Sequence, residues 1–189
     1  PEGKWLCLLA VGDFDGDGFA DLLVGAPGEI DQSGNGSAYV FPGGPDSIGV
    51  APSWSLVGEY EQLGVATAAA DFDLDGYSDA AIGGDYTTSV YVAHGSGTGL
   101  SAIPSTIQNP GGVYAFGAQL DARGDVNGDG YPDLLVGAGP DRCYPYFSCP
   151  GLAFAYLGSP DGRAREPWSS IPYGGGGASI GTVSSSRVT

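Results

Sequence analysis

An all-β fold of four-stranded antiparallel sheets, set around an axis as β-propeller blades with three in the chain, is what this sequence predicts. Three observations carry the prediction. Glycine is 35 and proline 14 of 189 residues beside 42 % apolar content, which suits many short strands joined by tight turns. One acidic stretch is written three times. Each copy then runs into a short apolar segment ending in glycine, too brief for a helix and typical of a buried strand.

The acidic stretch is Asp13-Phe14-Asp15-Gly16-Asp17-Gly18-Phe19-Ala20-Asp21, then Asp71 to Asp79, then Asp125 to Asp133. Oxygen-bearing side chains stand at its positions 1, 3, 5 and 9: Asp13, Asp15, Asp17 and Asp21; Asp71, Asp73, Asp75 and Asp79; Asp125, Asn127, Asp129 and Asp133. Calcium takes six to eight oxygens, and a short loop coiled around the ion presents alternate residues inward. Glycine at position 6 permits the sharp turn there. The backbone carbonyl of position 7 (Phe19, Tyr77, Tyr131) is the expected fifth ligand, and the carboxylate at position 9 closes the cage. One such run would be explained as well by the turn-forming habit of Asp, Asn and Gly. Three in register favour calcium, at three Ca²⁺ per chain.

The loop is not an EF-hand. That motif needs Glu at position 12 and flanking helices, whereas position 12 here is Val24, Ile82 or Val136 inside an apolar run. A strand-to-strand connector remains.

The strands follow in order. Before each loop lies an apolar segment: Trp5–Val11, Gly64–Ala70 and Gly117–Ala122. After it comes Leu22-Leu23-Val24-Gly25 or its equivalent. A turn such as Ser33-Gly34-Asn35-Gly36 leads to an alternating strand: 38–41, 90–93 and 153–157. A second Gly-containing turn precedes a weaker strand carrying Trp54, Ile107 or Trp168. The loops recur 58 and 54 residues apart, a period long enough for a four-stranded blade and too long for a solenoid coil. The units are 1–57, 58–110 and 111–172. Residues 173–189 read as the start of a further blade, or a strand exchanged with another chain, because Gly177–Ser184 looks like a first strand without its loop.

These residues resemble the FG-GAP repeat of integrin alpha-subunit β-propellers. Phe116-Gly117 supplies the first pair of letters and Gly25-Ala26-Pro27 the last three, with the acidic loop between. The FG place is Leu63-Gly64 in the second unit, Trp5-Leu6 in the first and Ile180-Gly181 near the end. The resemblance implies loops on one face of a propeller, between the first two strands of each blade, with calcium in them. Closed propellers need about four to eight blades. The chain is therefore either a segment of a larger propeller or half of a six-bladed ring completed by a second copy as a homodimer.

Net charge is −16, and half of the 22 acids lie in the loops, where three divalent ions would offset part of it. Only six Lys and Arg are present and they form no cluster, which argues against nucleic acid. No run of eighteen apolar residues exists, so no membrane span is predicted.

Cys143 and Cys149 sit six apart in one long turn and are expected to form a disulfide stapling it; Cys7 reads as a buried small hydrophobe. Arg123-Gly124-Asp125 spells an integrin-recognised tripeptide, but Asp125 is already position 1 of the third loop, so coincidence is the reading adopted. Asn35-Gly36-Ser37 is equally a glycosylation sequon and a hairpin turn. The one histidine, His94, lies in an apparently ordinary turn with no orienting acid or nucleophile in view. No enzyme is predicted.

The expected function is an extracellular, cell-surface propeller module for adhesion or protein–protein interaction, with structural calcium of the weak extracellular range. The alternatives are a calcium-dependent, lectin-type propeller binding a glycan, and a purely structural segment.

Overall fold

The computed structural model describes residues 8–28, 35–59, 62–85, 87–110, 115–139, 151–162 and 169–173, the last by backbone. Twelve strands and no helix occur among them. The first sheet is β1 (Leu8–Gly12), β2 (Asp21–Ala26), β3 (Ser37–Phe41) and β4 (Trp54–Val57). The second is β5 (Ala66–Ala70), β6 (Asp79–Gly83), β7 (Ser89–Ala93) and β8 (Ser105–Gln108). The third is β9 (Phe116–Gly124), β10 (Asp133–Ala138), β11 (Gly151–Tyr156) and β12 (Ser169–Tyr173). Each is a meander in chain order, antiparallel throughout. The all-β blade architecture is therefore as the sequence predicts.

Strand positions differ from expectation by a few residues. β9 runs longer, from Phe116 to Gly124, and shifts register against β10 at two places. Trp5, Cys7, Trp168, the Cys143–Cys149 turn and Gly177–Ser184 lie outside the described residues.

The sheets stack face to face. β1 packs on β5 and β5 on β9, while β4 and β8 occupy the opposite sheet edges. First strands thus lie nearest the common axis. Side chains alternate along each strand, so successive residues face the preceding or the following blade. Leu23, Ala38 and Val40 from the first blade meet Ala80, Ile82 and Ala93 of the second. Ala81, Val90 and Val92 on the second blade's other face meet Leu134, Val136 and Phe154 of the third. Every interior is shared between two blades.

Glycines set the blade spacing. A Cβ on Gly25 would drive into the Gly64 carbonyl, and one on Gly83 into the Gly117 carbonyl. Gly64 and Gly117 sit at φ +90° and +94°, a region that side chains resist. The glycine closing β2 or β6 therefore touches the glycine opening the next blade. The residue before it plugs the gap: Leu63 and Phe116 are both wholly buried. Phe116 meets the rings of Phe154 and Tyr156 edge-on, at centroid distances of 5.7 and 6.3 Å. Side chains add cross-blade hydrogen bonds, Trp54 Nε1 donating to the Ser101 carbonyl at 3.0 Å and Thr87 Oγ1 to the Phe116 carbonyl at 2.7 Å.

Candidate metal loops

All three acidic loops connect the first and second strands of their blades. Gly18, Gly76 and Gly130 at position 6 have φ of +86°, +95° and +96°, the sharp turn the sequence predicts. Position 4 is left-handed as well, at Gly16, Leu74 and Gly128. That requirement was missed from sequence, although glycine in two of three copies signals it. Leu74 meets it at φ +59°, a conformation costing an L-residue roughly 1–2 kcal/mol.

Position 1 organises the coil. Asp13 accepts backbone N–H bonds from Gly16 (2.7 Å) and Gly18 (3.0 Å). Asp71 accepts from Asp75 and Gly76, and Asp125 from Gly128, Asp129 and Gly130. Carboxylates at positions 3 and 5 each accept from the backbone two residues on, as at Asp15–Asp17 and Asp17–Phe19. The remaining carboxylate lone pairs are left to converge. Ligand oxygens of Asp13, Asp15 and Asp17 lie within 4.8 Å of one another, as do those of Asp71, Asp73 and Asp75. Such oxygen clusters could hold a hard cation. In the third loop Asn127 replaces one acid, and its Nδ2 donates to Asp129 at 2.8 Å.

Position 9 behaves differently from the others. Asp21, Asp79 and Asp133 are 3 %, 0 % and 1 % exposed. In each, one oxygen accepts from the backbone of position 2 (Phe14, Phe72, Val126; 3.0, 3.0 and 2.7 Å). The other accepts from a glycine in the turn after the third strand: Gly43 at 2.7 Å, Gly95 and Gly158 at 2.9 Å. Those glycines lie against the backbone carbonyls of Ala20, Ser78 and Pro132, where a Cβ would collide. The loop is thus tied to its own blade by a buried carboxylate. Sequence spacing gave no hint of the tie.

The loops also join blades. Ser78 donates its N–H to the Asp13 carbonyl at 2.8 Å, Ser96 to Phe14 at 3.2 Å, and Ser159 to Phe72 at 3.0 Å. Position 2 anchors them, with Phe14 and Phe72 buried between blades. Val126, the equivalent in the third loop, is 43 % exposed.

His94 is not in an ordinary turn. Its Nδ1 lies 3.3 Å from Asp79 Oδ1 and 4.0 Å from Asp73 Oδ2. The Asp79 carboxylate beside Nδ1, close but not aligned for a hydrogen bond, raises the imidazole pKa above its usual 6.5. Burial, then the neighbouring Asp79 and Asp75 charges, raise that of Asp73; burial likewise raises Asp15. The orienting acid that sequence did not reveal is therefore Asp79, and the groups gathered at His94 are two loop carboxylates. Asp73, Asp79 and His94 form a further cluster of metal-ligand atoms within 4.8 Å.

The Arg123-Gly124-Asp125 tripeptide is engaged within its own hairpin. Arg123 forms a bidentate pair with Asp121, through Nε at 3.0 Å and Nη2 at 2.6 Å. Asp125 is taken up by the loop backbone, whose N–H groups, Gly130 first, lower its pKa. Hydrogen bonds from Arg123 hold the Asp121 carboxyl at about 2. A depressed carboxyl pKa stabilises the fold above its ordinary value of 3.8, and the gain vanishes as pH falls toward 2. The pair is exposed, so solvent screening leaves its contribution to stability small. Arg123→Ala should return the Asp121 midpoint toward 3.8 in an NMR pH titration; an unmoved midpoint would contradict the pairing.

The FG-GAP repeat family matches residues 8–41, and the FG-GAP-like repeat family matches 71–136. Human integrin alpha-IIb is 40 % identical over 149 residues, covering 69 % of this chain and 14 % of that protein. Human integrin alpha-7 is 36 % identical over 152 residues, covering 76 % of the chain and 13 % of its own length. Chicken (Gallus gallus) integrin alpha-6 is 30 % identical over 159 residues, at 77 % and 14 %. The chain thus spans about one seventh of these relatives.

Proposed function

Because the chain is an integrin-alpha-like FG-GAP repeat region, we propose that it is a calcium-binding module of an extracellular adhesion propeller, with one Ca²⁺ in each loop. The observation that carries this reading is the threefold recurrence of one geometry. Position 1 accepts backbone N–H bonds and position 9 ties the loop to its blade in all three copies, and in the first two the oxygens of positions 1, 3 and 5 converge within 4.8 Å. The assigned ligands are the side chains of Asp13, Asp15, Asp17, Asp71, Asp73, Asp75, Asp125, Asn127 and Asp129. The carbonyls of Phe19, Tyr77 and Tyr131 join them, as do Asp21, Asp79 and Asp133 through lone pairs not used for N–H bonds. Calcium supplies the positive charge that these carboxylates lack, and no catalytic role is assigned. The partner is a protein met by a propeller surface, as the adhesion reading implies.

The ion binds the folded loops and not the unfolded chain, so calcium stabilises. At free calcium about tenfold above Kd, each site contributes about 1.4 kcal/mol and three about 4 kcal/mol. At about 2–4 °C per kcal/mol for a chain of this size, excess chelator should lower Tm by on the order of 10 °C. Differential scanning calorimetry with and without calcium makes the measurement. An unchanged Tm would reject calcium as a structural ligand.

A further inference from the structure

The second loop has a nitrogen beside it that the other two lack. Gly43, Gly95 and Gly158 hold equivalent places, each donating to the position 9 carboxylate of its blade. The residue before them is Pro42, His94 or Leu157, so the second copy alone sets an imidazole against its carboxylates.

We propose that Asp73, Asp79 and His94, through Nδ1, bind a zinc-class divalent cation at the junction of the second and third blades. Three observations argue for it. Nδ1 is shut off from solvent and has no hydrogen-bond partner among the described residues, although two carboxylates face it. A buried nitrogen is costly unless something engages it. The spacing agrees. Bonds of about 2.1 Å at tetrahedral angles set ligand atoms about 3.4 Å apart, and Nδ1 lies 3.3 Å from Asp79 Oδ1 and 4.0 Å from Asp73 Oδ2. Room is kept as well. Gly162, in the turn after β11 of the third blade, lies over the cluster, where a Cβ would stand 3.0 Å from Asp73 Oδ2 and 3.2 Å from Nδ1. Calcium takes oxygen ligands, whereas imidazole suits zinc. The metal replaces any proton on Nδ1, which leaves to solvent, and water takes the fourth position. Asp73 and Asp79 are also assigned to the calcium of the second loop, so the two ions compete there. The zinc site itself stands whether or not any loop holds calcium.

NMR of the full chain labelled with ¹⁵N-histidine tests it, because the sequence has a single histidine. Equimolar Zn²⁺ should move the Nδ1 resonance to a metal-bound position and leave Nε2 protonated. His94→Gln should weaken zinc binding at least about tenfold in calorimetry. In saturating calcium, native mass spectrometry should show zinc replacing one calcium ion. An unmoved Nδ1 signal overturns the proposal. So does a shift at Nε2 alone, as a zinc ion caught at the surface would give, or zinc retained beside three calcium ions. Failure here is separable from failure of the calcium reading. Three bound calcium ions with Nδ1 unmoved by zinc would reject zinc alone, and a moved Nδ1 in a chain that takes up no calcium would reject calcium alone.

Discussion

Asp79→Ala should cost the protein about 3–5 kcal/mol in chelator, and more in calcium, where the second loop also loses an assigned ligand. Asp79 is fully buried, and its two oxygens accept from the Phe72 and Gly95 backbones. Alanine leaves both donors without a partner inside the fold, each costing about 1–3 kcal/mol. His94 loses its orienting carboxylate in the same step. Asp75 provides the contrast. It is exposed, and its recorded acceptor role is one local bond from the Tyr77 backbone at 2.9 Å. Asp75→Ala should be destabilising in calcium, where a site is lost, and within about 1 kcal/mol of wild type in chelator. Urea unfolding of both variants, with and without calcium, separates the two kinds of loop carboxylate. Equal costs for the two variants in chelator would refute the buried tie.

Gly83→Val should be at least as damaging, at about 3 kcal/mol or more. The new side chain would enter the space of the Gly117 carbonyl, so two backbones in close approach must part. Parting them opens the shared interior around Val90, Phe116 and Val136, which neither blade can seal alone. Gly124→Ala serves as the control, since a Cβ there meets nothing within 4 Å. Thermal melts of the pair should differ by on the order of 10 °C. A melt of Gly83→Val within a degree or two of the control would show that the blades are not locked at this point.

Local features were legible in the sequence. The acidic loops, the glycine turn at position 6 and the buried strands after each loop all follow from residues a few places apart. What was not legible is long-range. Asp79 reaches a turn 16 residues on, and Asp21 and Asp133 reach turns 22 and 25 residues on. Gly95 and its equivalents looked like ordinary turn glycines because the carboxylate they serve belongs to another part of the blade. The glycine pairs Gly25–Gly64 and Gly83–Gly117 were visible as letters, but their contact exists only once the sheets are stacked. Leu74 was misleading in its own way. It occupies a left-handed position that two glycines mark elsewhere, and the surrounding hydrogen bonds impose the conformation despite its side chain.

The claim that three oxygen-lined turns each hold an ion is tested most directly by counting. Native mass spectrometry across a calcium titration should show three ions per chain at saturation, and two in Asp75→Ala. Wild type saturating below three, or a variant that still takes up all three, would contradict it.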